Sequence, residues 1–144
     1  MILITGINGE MGNALVKKLH NSQSNNIIGL DIKSPIEDVK PFLHKCYVGD
    51  IRDKDLINEI FTENTITAVY HLAAILSTKA ESIPFLAHEV NVNGLLNLIE
   101  QILMKKQFVK FFFPSSIAVY AIDDKNNNPI TEEEFCSPNN MYGC

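Results

Sequence analysis

The sequence contains 144 residues, of which 46% are hydrophobic and 20% are charged, as is typical of a single globular domain with a buried core. Its formal net charge is −5 and its basic residues form no stripe, so a nucleic-acid partner is not expected. The sequence shows no apolar run of the roughly 18 residues that span a membrane and no signal peptide, so we expect a cytoplasmic domain without membrane contact. Its three cysteines show no metal-ligand spacing, so we expect free thiols and no metal.

The first half of the chain alternates short apolar runs with segments whose apolar residues recur at helical spacing. In chain order it predicts a strand at Ile2–Thr5, a helix over residues about 10–21, a polar loop at Asn21–Asn26, a strand at Ile27–Leu30 that ends at Asp31, a loop at Ser34–Pro41, a strand at Cys46–Val48 and a helix that opens at Asp53. Asp53 or a neighbour is the predicted N-cap, because a carboxylate can accept hydrogen bonds from the free N–H groups of the first turn.

The second half continues this alternation. In chain order it predicts a strand at Thr67–His71, a long helix from about Ile83 to Lys105, a strand at Phe108–Phe113 and a loop over Ala121–Asn140. Strands that are apolar on both faces and alternate with helices predict a parallel sheet covered on both sides. With a glycine-rich first turn, the expected fold class is α/β, a Rossmann-type doubly wound parallel sheet with strand order 3-2-1-4-5.

The strongest local signal is the turn between the first strand and the first helix, where residues 5–12 read TGINGEMG. Its glycines allow a tight turn and the close approach of a pyrophosphate, and the helix N-terminus offers free N–H groups to the phosphates. The spacing is G-x-x-G-x-x-G and not G-x-G-x-x-G, so a glycine turn without a ligand is the alternative. The predicted cofactor-binding residues of this turn are Gly6, Ile7, Asn8, Gly9, Glu10, Met11 and Gly12.

Carboxylates follow the second and the third strand. Asp31, 19 residues past Gly12, is positioned to accept the ribose hydroxyls of an adenosine, and we assign its neighbour Ile32 to the same site. Because the charge of Asp31 would repel a 2′-phosphate, NAD is favoured over NADP. Asp50 would bond the amino group of adenine and Ile51 would lie against its ring. The alternatives are that Asp31 only caps its strand and that Asp50 only caps the following helix.

Two further segments end strands at the edge where ligands of such sheets bind. The first comprises His71, Leu72, Ala73 and Ala74. Its small residues let a cofactor approach the backbone, whereas a histidine such as His71 is more often a packed core residue than a catalytic base. The second segment places Ser115 and Ser116 just beyond the fifth strand, and Tyr142 follows 26 residues after Ser116.

Together these motifs resemble the extended short-chain dehydrogenase/reductase family, the NAD-dependent epimerases and dehydratases. Five motifs occur in family order along the whole chain, and Asn91 in the run VNVNG is similar to the family asparagine on the helix after the fourth strand. Within the family, residues 71–77, 91–97, 112–120 and 141–143 most resemble short-chain L-threonine 3-dehydrogenases. The run PSSIAV is the strongest indication, because sugar-nucleotide epimerases more usually have three consecutive serines there. A UDP-sugar epimerase or dehydratase and a non-catalytic NAD-binding module are the alternatives.

The resemblance implies roles for the residues near the end of the chain. Tyr142 would be the catalytic acid/base, and Ser116 would hold the substrate oxygen near it. Ser115 is expected at the cofactor site with a structural role, and Ser77 is a candidate substrate contact. The implied cofactor is NAD, and the implied substrate is an amino acid or a nucleotide sugar.

The sequence departs from the family pattern after this tyrosine. The family lysine four residues on would fall at position 146, past Cys144, and the sixth strand and the substrate domain would follow it. We therefore interpret residues 1–144 as an NAD(P)-binding Rossmann domain and expect no turnover from it alone. Family members also pair through two long helices, so we expect a homo-oligomer, or self-association through the 83–105 helix. The candidates for an uncovered stripe are among Val90, Leu95, Leu98 and Ile102, some of which must face the sheet instead.

Overall fold

The computed structural model describes residues 1–22, 26–106, 108–120 and 129–144. Five parallel strands form one sheet in the order β3-β2-β1-β4-β5, which confirms the predicted doubly wound arrangement. The strands are β1 Ile2–Thr5, β2 Ile27–Asp31, β3 Lys45–Val48, β4 Ala68–His71 and β5 Lys110–Phe112. The helices are α1 Glu10–Asn21, α2 Lys54–Glu63, α3 Ser77–Ser82, α4 Pro84–His88 and α5 Gly94–Met104, with a π-helical turn at Glu89–Asn93 and 3₁₀ turns at Lys40–Phe42 and Ile117–Val119.

The register of the strands brings four of their ends to one edge of the sheet. β1 lies in the centre, where Thr5 pairs with Leu30 of β2 and with His71 of β4. Asp31, the last residue of β2, pairs with Val48 at the end of β3. The glycine turn and the segments that follow β2, β3 and β4 therefore leave the sheet at the same edge.

Two apolar clusters cover opposite faces of the sheet. Successive residues of a strand point to opposite faces, and on β1 Leu3 belongs to one cluster while Ile4 belongs to the other. The Leu3 cluster includes residues of α2 and α5, and the Ile4 cluster includes Val16 of α1. Both faces are thus buried, as a parallel sheet requires. Within the described ranges, no helix has the length and apolar character needed to cross a membrane.

The segment predicted as one helix from about Ile83 to Lys105 consists of α4, the π-helical turn and α5. It begins at Pro84, because a residue before proline is disfavoured in the helical conformation and Ile83 has a φ of −136°. The short helix α3 precedes it and was not predicted. Only Ala80 of α3 is buried, so its sequence carries no apolar periodicity that would indicate a helix.

The apolar residues left uncovered on this helix differ from the predicted ones. Leu98 is fully buried, Val90 and Ile102 pack against the cluster that contains it, and Leu95 is half-buried. Val90, Leu98 and Ile102 point inward because the helix must cover the sheet and α2. The exposed apolar stripe consists instead of Val92, Leu96, Ile99 and Leu103.

The last strand and the loops also differ in extent from the prediction. β5 covers Lys110–Phe112 and not Phe108–Phe113, because it pairs with β4, whose first residue Ala68 lies opposite Lys110. Of the predicted loop Ala121–Asn140, residues 121–128 lie outside the described part of the chain, and residues 129–140 contain neither helix nor strand. Residues 23–25 of the predicted loop Asn21–Asn26 also lie outside it.

Candidate cofactor-binding and catalytic site

A cleft of about 430 Å³ lies at the carboxyl edge of the sheet. It brings together four of the predicted motifs, represented in its lining by Gly6 and Gly9, Asp31 and Ile32, Asp50 and Ile51, and Leu72 to Ala74. Ile7, Asn8, Glu10, Met11, Gly12, His71, Asn91 and Ser115, which were also predicted to bind the cofactor, do not line it. Seven further lining residues were not predicted as part of the site: Leu30, Gly49, Arg52, Ile75, Lys79, Leu86 and Val90. A larger open groove of about 670 Å³ runs beside α5 and contains none of the predicted site residues.

The glycine turn is packed too tightly for side chains at two of its positions. Gly6 has a φ of +73°, and a Cβ there would lie 2.8 Å from the backbone nitrogen of Ala73. A Cβ on Gly12 would overlap the carbonyl oxygen of Gly6, so the start of α1 rests directly on the turn. Gly9 is exposed, and a Cβ there would lie 3.3 Å from the carbonyl oxygen of Gly6. This geometry leaves the backbone of the turn accessible at the cleft.

The side chain of Thr5 connects the ends of β1 and β4. Its Oγ1 accepts hydrogen bonds from the amides of Leu72 and Ala73, both at 3.1 Å, and lies 2.8 Å from Nδ1 of His71. Because both lone pairs of Oγ1 are used, its proton is donated to Nδ1, and the neutral His71 ring carries its own proton on Nε2. His71 is 1% exposed, and burial lowers its pKa to about 4. This environment favours the interpretation of a packed core histidine.

The carboxylate of Asp31 is held from two sides. Its Oδ2 accepts a hydrogen bond from the amide of Asn8 at 3.0 Å, and its Oδ1 accepts one from the amide of Lys33 at 3.1 Å. Each oxygen keeps a further lone pair, and the residue lines the cleft. Asp31 therefore both caps its strand and presents a fixed acceptor to the cleft.

Asp50 forms a chelated ion pair with Arg52. Its Oδ1 accepts from the amide of Arg52 at 2.9 Å and from Nε at 3.0 Å, and its Oδ2 accepts from Nη2 at 2.7 Å. The hydrogen bond from the guanidinium group is the main reason why the pKa of the Asp50 carboxyl is lowered. The N-cap of α2 is Asp53, whose Oδ1 accepts from Asp55 and Leu56, so the prediction for Asp53 is confirmed and Asp50 does not cap that helix.

Asn91 lies in the π-helical turn and holds the loop after β4. Its Oδ1 accepts from the amide of Ile75 at 2.8 Å, and its Nδ2 donates to the carbonyl of Ile75 at 3.0 Å. The residue therefore acts on the cleft through Ile75, which lines it, without lining the cleft itself.

The structure brings the segments of Ser116 and Tyr142 together at the end of β5. A Cβ on Gly143 would overlap the carbonyl oxygen of Ala118, so the backbone after Tyr142 lies against the 3₁₀ turn that Ser116 caps. The Oγ of Ser116 accepts from the amide of Ala118 at 3.2 Å. Helix α3 is the third neighbour, because Oε1 of Glu81 accepts from the amide of Tyr142 at 3.0 Å. Ser77 begins that helix and is exposed, as is Ser115.

The chemistry of the cleft fits a dinucleotide. Glycine backbone that a Cβ would crowd lies on one side, and the fixed carboxylate of Asp31 lies beside it. Apolar side chains of Ile51, Leu86 and Val90 supply surface for a flat ring. Pockets of this size with few polar groups among apolar walls are typical of cofactor sites.

Comparison with known proteins is consistent with this geometry. Residues 2–144 match the NAD dependent epimerase/dehydratase family. An uncharacterized epimerase/dehydratase of Staphylococcus haemolyticus (strain JCSC1435) is 32% identical over 143 residues, which cover 99% of this chain and 44% of that protein. Among solved structures, a monomeric L-threonine 3-dehydrogenase from a metagenome is 40% identical with a TM-score of 0.85, over 99% of this chain and 44% of that one. A UDP-glucose 4-epimerase is 34% identical with a TM-score of 0.88, over 99% of this chain and 43% of that one. The chain thus spans less than half the length of these relatives.

Proposed function

Because the chain belongs to the NAD-dependent epimerase/dehydratase family, we propose that its cleft binds NAD and that the whole protein oxidises L-threonine to 2-amino-3-oxobutanoate. The observation that carries this proposal is the 40% identity to a solved L-threonine 3-dehydrogenase across 99% of the chain. The run Pro114–Val119, which resembles those dehydrogenases more than sugar-nucleotide epimerases, supports the same substrate.

The cofactor part of the proposal depends on the adenosine end of the cleft. Asp31 would accept the ribose hydroxyls with the lone pairs that Asn8 and Lys33 leave free. Ile51, Leu86 and Val90 would enclose the adenine ring. The exposed backbone of Gly9 and the N–H groups at the start of α1 would face the pyrophosphate. A negative charge at Asp31 would disfavour the 2′-phosphate of NADP.

The chemical part of the proposal assigns the proton to Tyr142. When bound, NAD would supply the acceptor for the hydride that leaves C3 of threonine. The phenolic oxygen of Tyr142 would take the hydroxyl proton, and the Oγ of Ser116 would hydrogen-bond the same substrate oxygen. The contact between Gly143 and the turn at Ala118 supports this pairing, because it keeps the two segments adjacent. Ser77 would lie on the substrate side of the site.

The second candidate is UDP-sugar 4-epimerisation. It is favoured by the TM-score of 0.88 to a UDP-glucose 4-epimerase, which exceeds the 0.85 for the threonine enzyme. The two activities share the NAD site and the tyrosine, so the cleft described above does not separate them. The substrate itself must be tested.

Calorimetric titration tests the cofactor, and turnover tests the substrate. NAD should bind more tightly than NADP, and Asp31→Ala should weaken NAD binding about tenfold or more, since a charged hydrogen bond contributes roughly 1.5–3 kcal/mol. Asp38→Ala, which removes an exposed aspartate paired with Lys17 outside the cleft, should leave the affinity unchanged. When the whole protein is assayed with L-threonine and NAD, NADH should form, and Tyr142→Phe should abolish its formation. Interconversion of UDP-glucose and UDP-galactose without NADH formation would assign the epimerase activity instead.

We also propose that the protein associates with a second copy through the stripe of Val92, Leu96, Ile99 and Leu103. The support is that these four side chains are exposed although all are apolar and lie on one helical face. One solved L-threonine 3-dehydrogenase is monomeric, so we assign the association to the side chains of this chain and not to the family as a whole.

A further inference from the structure

Asn8 of the glycine turn forms its side-chain hydrogen bonds with the segment that follows β2. The amide of Asn8 donates to Oδ2 of Asp31 at 3.0 Å. Its side-chain Nδ2 donates to the carbonyls of Lys33 and Ser34, both at 3.1 Å, and its Oδ1 accepts from the amide of Ile36 at 3.1 Å. A single side chain thus engages three backbone groups of residues 32–36, the segment that follows β2.

Apart from Asn8 and Asp31, the described hydrogen bonds to the 32–36 segment come from the amides of Val39 and Lys40, which both donate to the carbonyl of Ile36 at its end. Residues 32–34 and Ile36 are exposed, with Ile32 at 68%, so they gain little from apolar packing. Inside the segment, the amide of Lys33 is bound by Asp31 and its carbonyl by Asn8. The backbone of Lys33 is therefore fixed at both ends by residues that belong to the cofactor side of the fold.

With the cofactor bound as proposed, this segment would lie beside the group in which NAD and NADP differ. Both cofactors would place the adenosine ribose at Asp31, and only NADP carries a phosphate on the 2′-oxygen of that ribose. A bound 2′-phosphate needs space and a cation beside the ribose. Lys33 supplies the cation in this segment, and it forms no ion pair with any residue in the described ranges. Its distance from the phosphate position is governed by the backbone that Asn8 holds.

We propose that Asn8 is a positioning residue that sets the preference for NAD over NADP by holding the 32–36 segment against the glycine turn. Asn8 keeps Asp31 oriented toward the ribose and prevents Lys33 from moving to meet a 2′-phosphate. This inference rests on the proposed binding of NAD and adds to it the residue that enforces the choice. Asp31 supplies the repulsion, and Asn8 supplies the rigidity that makes the repulsion effective.

The test compares NAD and NADP affinities by calorimetry in the wild-type protein and in Asn8→Ala. In Asn8→Ala the dissociation constant for NADP divided by that for NAD should fall about tenfold, which is the effect of losing one or two net hydrogen bonds. Ser34→Ala is the matched control, because it removes a side chain from the same segment and keeps the carbonyl that Asn8 binds. Its ratio should equal that of the wild type. Adding Lys33→Ala to Asn8→Ala should restore discrimination, whereas Lys33→Ala alone should not change it.

Hydrogen exchange of the wild-type protein tests the same inference without any variant. In the wild-type protein the amide of Ile36 should exchange slowly although the residue is exposed, because it donates to Asn8. Exchange of that amide at the rate of an unprotected peptide would overturn the inference, as would an unchanged NAD/NADP ratio in a folded Asn8→Ala protein. Absence of NAD binding to the wild type would instead contradict the proposed function, so the two failures are distinguishable.

Discussion

At the residue scale, His71 is a buried side chain at the carboxyl edge of the sheet that connects β4 to β1. Its Nδ1 accepts a hydrogen bond from the hydroxyl of Thr5, and the centroid of its ring lies 5.8 Å from that of Phe113 in a stacked arrangement. With a pKa lowered to about 4 by burial, the imidazole stays neutral at physiological pH. Burial and the hydrogen bond to Thr5 therefore favour a structural role for His71, in which it links β4 to β1.

The lowered pKa of His71 predicts acid sensitivity. The unfolded chain has an ordinary histidine pKa of 6.5, so below about 6.5 the unfolded state binds a proton that the folded state refuses until about pH 4. The free energy of unfolding should therefore fall as pH falls through this window, by roughly 3 kcal/mol at most. Urea denaturation between pH 7.5 and pH 4 would measure it. His71→Asn should flatten this dependence, whereas His88→Asn on the exposed surface of α4 should retain it. An equal slope in His71→Asn and the wild type would assign the effect to other groups.

The sequence predicted where the site residues would lie better than it predicted which groups they would hydrogen-bond. The spacing from Gly12 to Asp31 indicated that a carboxylate would stand beside the glycine turn, and the strand register places it there. The hydrogen bond that the amide of Ile36 donates to Asn8, 28 residues away, could not be predicted, because it depends on how the loop after β2 folds back. The ion pair of Asp50 with Arg52 is more local, and the Asp-x-Arg spacing was the available signal.

At the element scale, apolar periodicity predicted every strand and the three longer helical segments. It failed where an element carries no apolar face, as in α3, and where the helix changes its hydrogen-bonding pattern, as in the turn Glu89–Asn93. Both failures lie beside the cleft. α3 carries Lys79 at the cleft and Glu81 at the amide of Tyr142, and the π-helical turn carries Asn91. A π-helical turn inside an α-helix is frequently found at a functional site.

The paired hydrogen bonds of Asn91 predict a specific loss when they are removed. Asn91→Ala should lower the free energy of unfolding by about 1–3 kcal/mol, because both polar groups of Ile75 lose their partner. NAD affinity should fall as well, since Ile75 lines the cleft. The matched control is Asn93→Ala in the same turn, whose side chain bonds only the exposed Glu89 and should cost less than about 0.5 kcal/mol. Urea denaturation and NAD titration of both variants would decide, and equal effects would assign the loss to the turn in general.

At the scale of the whole molecule, the sheet brings the motifs of the proposed nucleotide site to one cleft, while one apolar face of the helical layer is exposed in the described part of the chain. Val92, Leu96, Ile99 and Leu103 follow the spacing i, i+4, i+7 and i+11, which aligns side chains along one side of a helix. Leu103 is 70% exposed and Leu96 is 52% exposed. The sequence predicted that this helix would expose apolar residues but selected the wrong ones, because helical spacing alone does not tell which of two apolar faces meets the sheet.

The exposed stripe predicts self-association that depends on those side chains. Contiguous apolar patches larger than a few hundred Å² are rare on soluble monomers, and covering apolar surface contributes about 25 cal/mol per Å². Sedimentation velocity over a hundredfold range of concentration should therefore show an increase in mean mass for the wild-type protein. The double variant Leu96→Glu with Leu103→Glu should remain monomeric, because two buried, unpaired carboxylates would be costly at the interface. Phe135→Glu is the control, since Phe135 is 87% exposed outside the stripe, and it should associate as the wild type does. A wild-type protein that stays monomeric throughout would contradict the prediction, and association that survives the double variant would assign it to another surface.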